Sequence, residues 1–240
     1  MSDKKISFDS YEEMAEYYFK HVDEKPFNAY YERPGTLSLL PKVNEKNVLD
    51  AGCAAGWYTD WLLDHGAEVT ALDFSPQMIE MTKRRVGNKA TVIQGDLNKP
   101  IDYLNKESFD IIISSLTLHY IKDWDFVMNQ FNRLLKPAGS LVFSVHHPFM
   151  DYMYFDVDDY FEVKLLEDEW NTNGKKINVE FYRRPLHKII SPVVNNGFVI
   201  EDICEPMPTE EFKRNAPETY ERLKKKPQFI FVKGKKLSKD

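Results

Sequence analysis

Residues 48–57 read VLDAGCAAGW, an apolar run that ends in Asp50 and passes through a glycine-spaced turn. Glycine lets the backbone approach a ligand because no Cβ stands in the way, and a helix that follows offers free N–H groups. A dinucleotide-binding turn normally stays apolar up to its first glycine, because a carboxylate there would repel the pyrophosphate. The stretch therefore predicts a strand–turn–helix unit whose ligand has a cationic end.

The segments that follow repeat the order of strand and helix as far as residue 145. This repetition predicts a parallel sheet joined by crossover helices. Residues 111–113 are three isoleucines without polar alternation, which favours a sheet buried on both faces. We therefore expect an α/β protein with a doubly wound, mostly parallel sheet.

Polar residues follow three more of the predicted strands. Asp73 ends the second strand 23 positions after Asp50, where a carboxylate can hold a ribose diol. Asp96 comes just past the third strand, in a position to accept a hydrogen bond from an adenine amine, and Ser114 ends the fourth. Because the carboxyl ends of parallel strands share one edge of the sheet, these residues predict a ligand that contains a nucleoside.

Five motifs in this order resemble the class I S-adenosylmethionine-dependent methyltransferases, in particular the small-molecule branch with the type 11 and ubiquinone/menaquinone-biosynthesis-like enzymes. The motifs are residues 48–56, 71–73, 94–97, 109–115 and 134–139, and the resemblance covers residues 45–147. It implies an enzyme with a Rossmann-like methyltransferase fold of seven strands, the last of them antiparallel. It also implies S-adenosylmethionine as the cofactor and S-adenosylhomocysteine as its product.

The resemblance further implies which residues hold the cofactor. Ala54 replaces the usual middle glycine of the loop and fits there if its φ is negative. Tyr31 and Arg33, ahead of the first strand, either cover the cofactor site or only pack beside it. The other implied residues are Asp50, Gly52 and Gly56 at the methionine end, Asp73 on the ribose, Phe74, Asp96 and Leu97 around the adenine, and Ser114, whose carbonyl would accept from the amino group.

Four stretches divide the predicted single domain of residues 1–240. We expect a helical leader over residues 1–44, the cofactor-binding core over 45–147, and completion of the sheet over 183–240. Residues 148–182 break the rhythm with a dense run of aromatic and acidic side chains, and their second half alternates like a β-hairpin. This insertion is expected to form a lid after the fifth strand, with simple core packing of its rings as the alternative.

Two histidines are candidates for the catalytic step. His146 and His147 close the fifth strand, where the resembling family places residues that face the acceptor. Neighbours on a strand point to opposite faces, so one of the two is expected to face the site. An imidazole of ordinary pKa, about 6.5, can take a proton at neutral pH and so act as a general base. His119, after the fourth strand, is expected to pack beside the sheet edge.

The composition and the absence of certain motifs limit the classes of substrate and partner that the sequence predicts. The chain has 32 lysine and arginine residues against 38 aspartates and glutamates, and its net charge of −6 disfavours nucleic acid. Ser114 is not followed by the Asn/Asp-Pro-Pro-aromatic run of base-amine methyltransferases. Cys53 and Cys204 lie away from the motifs that carry a pyrimidine-C5 nucleophile, and they form no metal-ligand set. We expect a small-molecule acceptor, no metal, and a monomer or homodimer.

The sequence also predicts where the protein is located and which reaction it catalyses. No apolar run reaches the roughly 18 residues that a membrane span needs, and two distant cysteines fit a reducing compartment, so a cytoplasmic protein is expected. The predicted activity is methyl transfer from S-adenosylmethionine to an oxygen, nitrogen or carbon of a small molecule. Two alternatives stay open: a non-catalytic regulatory protein that binds S-adenosylmethionine, and an NAD(P)-dependent oxidoreductase, which the doubly wound sheet and Asp73 also suit.

Overall fold

A seven-stranded sheet forms the centre of the protein, whose computed structural model describes residues 8–172 and 175–238. The strands of the chain are β1 (Asn47–Ala51), β2 (Glu68–Asp73), β3 (Thr91–Gln94), β4 (Phe109–Ser115), β5 (Leu135–His146), β6 (Lys164–Thr172), β7 (Lys175–Arg183), β8 (Phe198–Cys204) and β9 (Phe229–Lys236). The central sheet has the order β3-β2-β1-β4-β5-β9-β8. Neighbouring strands from β3 to β5 are parallel, and β9 runs antiparallel to β5 and β8. The predicted sheet with its antiparallel last strand is confirmed.

Helices join the strands in the predicted alternation. They are α1 (Phe8–His21), α2 (Arg33–Leu39), α3 (Trp57–Asp64), α4 (Pro76–Val86), α5 (Trp124–Leu134), α6 (Pro148–Tyr154), α7 (Leu186–Asn195), α8 (Glu210–Asn215) and α9 (Pro217–Leu223). A π-helical turn spans Asn28–Glu32, and a 3-10 turn spans Leu118–Tyr120. Near the C-terminus the helical stretch is divided into α8 and α9 at Ala216, because Pro217 has no N–H to donate.

Alternate residues of the central strands pack on opposite faces of the sheet. Leu49 and Ile112 belong to one buried cluster with Phe131 of α5. Val48 belongs to a second cluster, which contains Leu62 of α3. The sheet is therefore buried between two helical layers, as the all-apolar strands predict.

The insertion after β5 contains α6 and the predicted hairpin. β6 and β7 pair antiparallel as a sheet of their own, with Leu166 opposite Phe181. Strand β7 packs against the 3-10 turn and against α1 of the leader, so the hairpin reaches across the carboxyl edge of the central sheet. Residues 173 and 174 of the expected turn lie outside the described residues. Within the described residues, no helix is both long and apolar enough to cross a membrane.

Candidate active site

A cavity of about 1140 Å³ opens along the carboxyl edge of the central strands. The loop after β1 contributes Gly52, and the ends of β2 and β5 contribute Asp73 and His146. The leader adds Arg33 and the hairpin adds Phe181. Polar groups from distant parts of the chain thus converge on one space, because parallel strands all end at this edge.

Three residues of the loop after β1 have positive φ angles, in the left-handed region of backbone conformation. Gly52 and Gly56 have φ of +89° and +78°, and a Cβ on Gly52 would lie 2.2 Å from Thr117 Oγ1. Ala54 has a φ of +46°, so the condition of a negative φ is not met, and the alanine occupies the left-handed region. Two hydrogen bonds hold Ala54 in this region: its N–H donates to Asp73 Oδ2 at 2.9 Å, and its carbonyl accepts from Thr82 Oγ1 at 2.7 Å.

Asp73 is the buried carboxylate at the centre of the cavity wall. Its Oδ2 accepts from the Ala54 N–H, and its Oδ1 accepts from the Ser75 N–H at 3.0 Å. Burial raises the pKa of Asp73 to about 6, although the backbone hydrogen bonds oppose that rise. The backbone therefore fixes the carboxylate in place while lone pairs stay available for a diol.

The residues predicted around an adenine lie together. Phe74, Asp96 and Leu97 all line the cavity. Asp96 Oδ1 accepts from the N–H of Asn98 at 3.0 Å and from its side-chain amide at 3.1 Å. A carboxylate, an apolar side chain and a ring thus form one end of the cavity.

Asp50, Gly56 and Ser114 lie behind the wall instead of on it. Asp50 is buried and accepts from Thr59 Oγ1 at 2.7 Å, and burial raises its pKa to about 7. Ser114 Oγ donates to the Ala51 carbonyl at 2.8 Å. The side chains of Asp50 and Ser114 therefore hold the strands behind the cavity, and the expected roles of the loop backbone and of the Ser114 carbonyl stay predictions.

Of the two leader candidates, Arg33 lines the cavity and Tyr31 does not. The Arg33 guanidinium donates to the carbonyls of Val22 and Asp23 and lies 4.0 Å from the centre of the Trp57 ring. Tyr31 is fully buried, and its ring centre lies 5.4 Å from that of Phe229. Of the two alternatives for Tyr31, packing is the one that the structure shows, because Tyr31 packs on Phe229 and residues two apart on a helical turn point in nearly opposite directions.

The paired histidines also separate. His146 lines the cavity, and burial lowers its pKa to about 4, so it is neutral at pH 7. His147 instead accepts from the Phe149 N–H at the start of α6, and its Nε2 lies 2.6 Å from Glu205 Oε1. His147 is therefore a cap of α6, which corrects its place among the catalytic candidates.

Several residues of the cavity were not predicted. His119 lines it and stacks on His146, with ring centres 4.1 Å apart. Tyr18 of α1 also lines it, and burial raises its pKa to about 12. No local pattern in the sequence distinguishes either residue from core packing.

Glu32 is another unpredicted residue of the wall. It is 1% exposed, and its carboxylate accepts from four hydroxyls, at 2.7 to 2.8 Å. The donors are Thr36, Tyr58, Ser115 and Ser144. The only signal in the sequence is its position next to Arg33. Elsewhere in the described chain, three or more histidine, cysteine or acidic side chains do not gather as a metal site.

Comparison with known proteins gives consistent matches. A family model described as a methyltransferase domain (type 11) matches residues 49–143. An uncharacterized protein of Haemophilus influenzae is 27% identical over 231 residues, which are 88% of this chain and 89% of that protein. The ubiquinone biosynthesis O-methyltransferase of Coxiella burnetii is 34% identical over 127 residues, which are 50% of this chain and 53% of that enzyme. This chain thus matches about half the length of the latter relative.

The fold has solved counterparts as well. A structure from Listeria monocytogenes, assigned to the S-adenosylmethionine dependent methyltransferases, aligns with a TM-score of 0.76 and 27% identity. The alignment covers 86% of this chain and 97% of that one. The similarity therefore extends beyond the central sheet to most of both chains.

Proposed function

We propose that this chain, which belongs to the class I S-adenosylmethionine-dependent methyltransferases of the type 11 branch, methylates a small-molecule acceptor by in-line displacement. The chain is an enzyme, and S-adenosylmethionine is its cofactor. The proposal concerns the acceptor and the roles of the residues around it. It is supported most directly by a continuous cavity that joins the Asp73 carboxylate to the His146 imidazole.

The residues of the cavity fit this cofactor. Asp73 is a fixed carboxylate, which suits the two hydroxyls of a ribose. Gly52 leaves no room for a Cβ, so backbone alone forms the wall there. The Arg33 guanidinium suits a carboxylate such as that of methionine. The volume of about 1140 Å³ exceeds the roughly 300–1,000 Å³ of usual ligand pockets, which leaves space for a second small molecule.

Each group of residues then has a role. When bound, S-adenosylmethionine supplies a methyl group that its sulfonium already activates. Asp73 accepts from the ribose, while Phe74, Asp96 and Leu97 border the adenine. The loop of Gly52 and Ala54, with Arg33, holds the methionine end. Asp50 and Ser114 act from behind: Asp50 accepts from Thr59 and so joins β1 to α3, and Ser114 donates to Ala51 and so joins β4 to β1, which fixes the elements on either side of the loop.

The acceptor side of the cavity lies under the insertion. Its lining includes the rings of Tyr154, Phe155, Trp170 and Phe181, and Lys25 lies 5.3 Å from the centre of the Trp170 ring. Such a space excludes water and suits a small, partly apolar molecule better than a nucleic acid strand. Placement of the acceptor in line with the methyl group supplies much of the catalysis.

His146 is the candidate general base of this site. It ends β5 on the cavity wall and is neutral at pH 7, so a ring nitrogen is free to accept a proton. Its pKa of about 4 makes it a weaker base than an ordinary imidazole, so the imidazolium needs a stabilising partner. Loss of a general base typically slows turnover by roughly 10²–10⁴. We therefore expect His146→Gln to lose that much activity while it retains the affinity for S-adenosylhomocysteine.

The test uses S-adenosylmethionine with a trideuterated methyl group and a small-molecule extract of the source cells. Mass spectrometry should find at least one metabolite that gains the label with the wild-type enzyme and not with His146→Gln. His147→Gln measures the alternative histidine, and His65→Gln, on the exposed end of α3, serves as the matched control. Absence of any labelled metabolite, or equal labelling by wild type and His146→Gln, would contradict the proposal.

A further inference from the structure

A buried polar cluster lies behind His146, on the side away from the cavity. Asp151 of α6 is 2% exposed, and its Oδ1 lies 3.6 Å from His146 Nδ1. Neither atom has a hydrogen-bond partner among the described residues. Buried polar atoms are nearly always paired in folded proteins, so this couple, together with the equally unpaired His119 Nδ1 and Arg184 Nη1 beside it, requires an explanation.

A small second cavity joins the same groups. It measures about 10 Å³ and is lined by His119, His146, Asp151 and Arg184, among others. That is about the space of one water molecule. A small rotation of Asp151, or one bridging water, therefore lets its carboxylate accept the Nδ1–H of His146.

We propose that Asp151 is the positioning residue of His146, and that the acceptor therefore carries a proton on the atom that is methylated, as a hydroxyl or an N–H does. This inference rests on the proposed function. A methyltransferase whose acceptor atom carries no proton, such as a thioether or a pyridine nitrogen, needs no base. With such an acceptor, the buried Asp151 carboxylate would have no His146 imidazolium to stabilise.

The pair fixes which nitrogen of His146 does the chemistry. With Nδ1 protonated and directed at Asp151, Nε2 is the free base that faces the cavity. As the acceptor atom bonds to the methyl carbon, the carbon–sulfur bond breaks and its electron pair stays on sulfur. The acceptor's proton passes to Nε2, and the Asp151 carboxylate stabilises the imidazolium that results.

The charges around Asp151 act in both directions. Burial raises the pKa of Asp151 well above its ordinary range and Asp168 adds to that rise, while the positive charges of Arg183 and Arg184 oppose it. Arg184 is held in place because it donates to the Ile121 carbonyl at 2.8 Å and lies 4.8 Å from the centre of the Trp124 ring. The His119 ring stacks on a face of the His146 ring, with ring centres 4.1 Å apart, and so restricts its tilt.

The test reads the His146 ring directly and needs no acceptor. The full chain is labelled with ¹⁵N-histidine and saturated with S-adenosylhomocysteine at about pH 7, and the two ring nitrogens are assigned by loss of the His146→Gln signals. We expect the wild-type protein to show Nδ1 protonated and Nε2 unprotonated. In Asp151→Asn the Nε2–H form should appear, whereas Asp158→Asn, in the exposed part of the same insertion, should leave the spectrum unchanged.

The outcomes separate the two proposals. An Nε2–H tautomer in the wild type, or an Asp151→Asn spectrum identical to it, overturns the His146–Asp151 pair. If the labelled metabolite has gained its methyl group on an atom that had no proton, the inference about the acceptor is overturned while the proposed function stands. If no metabolite is labelled, the proposed function fails, and the tautomer measurement still decides the pair.

Discussion

At the scale of one residue, the proposed cofactor site depends most on Asp73, which is expected to bind the ribose hydroxyls. Removal of a charged hydrogen-bond partner typically costs about 1.5–3 kcal/mol, which corresponds to a roughly ten- to hundredfold loss of affinity. We predict that loss for S-adenosylhomocysteine binding to Asp73→Ala, measured by calorimetric titration. Asp102→Ala, an exposed acid with a side chain 77% accessible, is the control. Unchanged affinity in Asp73→Ala would remove this residue from the cofactor site.

Ala54 tests the strained loop. A non-glycine residue at positive φ costs roughly 1–2 kcal/mol, and a β-branched side chain costs more. We predict that Ala54→Gly keeps the stability of the wild type within about 1 kcal/mol and keeps its cofactor affinity. Ala54→Val should lose both, as read from urea unfolding and S-adenosylhomocysteine titration. A stable, binding-competent Ala54→Val would show that the left-handed course is not needed.

Asp50 makes the stability of the free protein depend on pH. Its pKa is raised from 3.8 to about 7 in the folded chain, so the folded state binds this proton more tightly than the unfolded state. The free energy of unfolding therefore falls as pH rises through this window, by on the order of 1.4 kcal/mol for each unit between the two values. His146 acts in the opposite sense, because its pKa is lowered from 6.5 to about 4.

The variant Asp50→Asn separates these two effects on the free energy of unfolding, because it removes the effect of Asp50 and leaves that of His146. Urea unfolding at about pH 5 and about pH 8 should show the variant gaining stability relative to wild type at the higher pH. A difference between the proteins that does not change with pH would mean that Asp50 keeps an ordinary pKa.

The insertion is the element on which the acceptor site depends. Arg183 is fully buried, and its guanidinium donates to the carbonyls of Tyr160 and Glu162 at 2.5 and 2.8 Å. It thereby ties the segment between α6 and β6 to the hairpin. We predict that residues 148–182 become more protected from hydrogen exchange when S-adenosylhomocysteine and the acceptor bind.

A variant checks the cause of that protection. Arg183→Met should speed exchange in the same residues of the free protein and raise the KM for the acceptor, because the segment loses its anchor. Arg214→Met, on the exposed face of α8, should change neither. Identical exchange in free and bound wild type would mean that the insertion is not a lid.

How much of each element the sequence reveals depends on how local its cause is. The strands and their terminal acids Asp73 and Asp96 are predictable, because apolar runs specify a buried sheet and parallel strands end at one edge. The direction of the Tyr31 side chain is not predictable from the sequence. A π-helical turn over Asn28–Glu32 changes which side chains face the cavity, and such turns leave no clear sequence pattern. The separation of α8 from α9 has a local cause, since Pro217 cannot donate within a helix.

At the scale of the whole molecule, the acceptor site is assembled from parts far apart in sequence. His119 follows β4, His146 ends β5, and Asp151 belongs to α6, while Glu32 comes from the leader. Apart from His146, which its place at the end of β5 made a candidate, no local pattern distinguishes these residues from ordinary core. Only the strand order β3-β2-β1-β4-β5 brings them beside the cofactor residues of β1 to β3, so the order of the sheet, and not any single motif, creates the site.

That arrangement makes the central claim measurable in one experiment, the crystal structure of the protein with S-adenosylhomocysteine. We predict one molecule in the large cavity, with its ribose hydroxyls on Asp73, its adenine between Phe74 and Leu97, and its sulfur directed along the open space toward His146. A ligand bound with its ribose away from Asp73, or with its sulfur turned away from His146, would contradict this prediction.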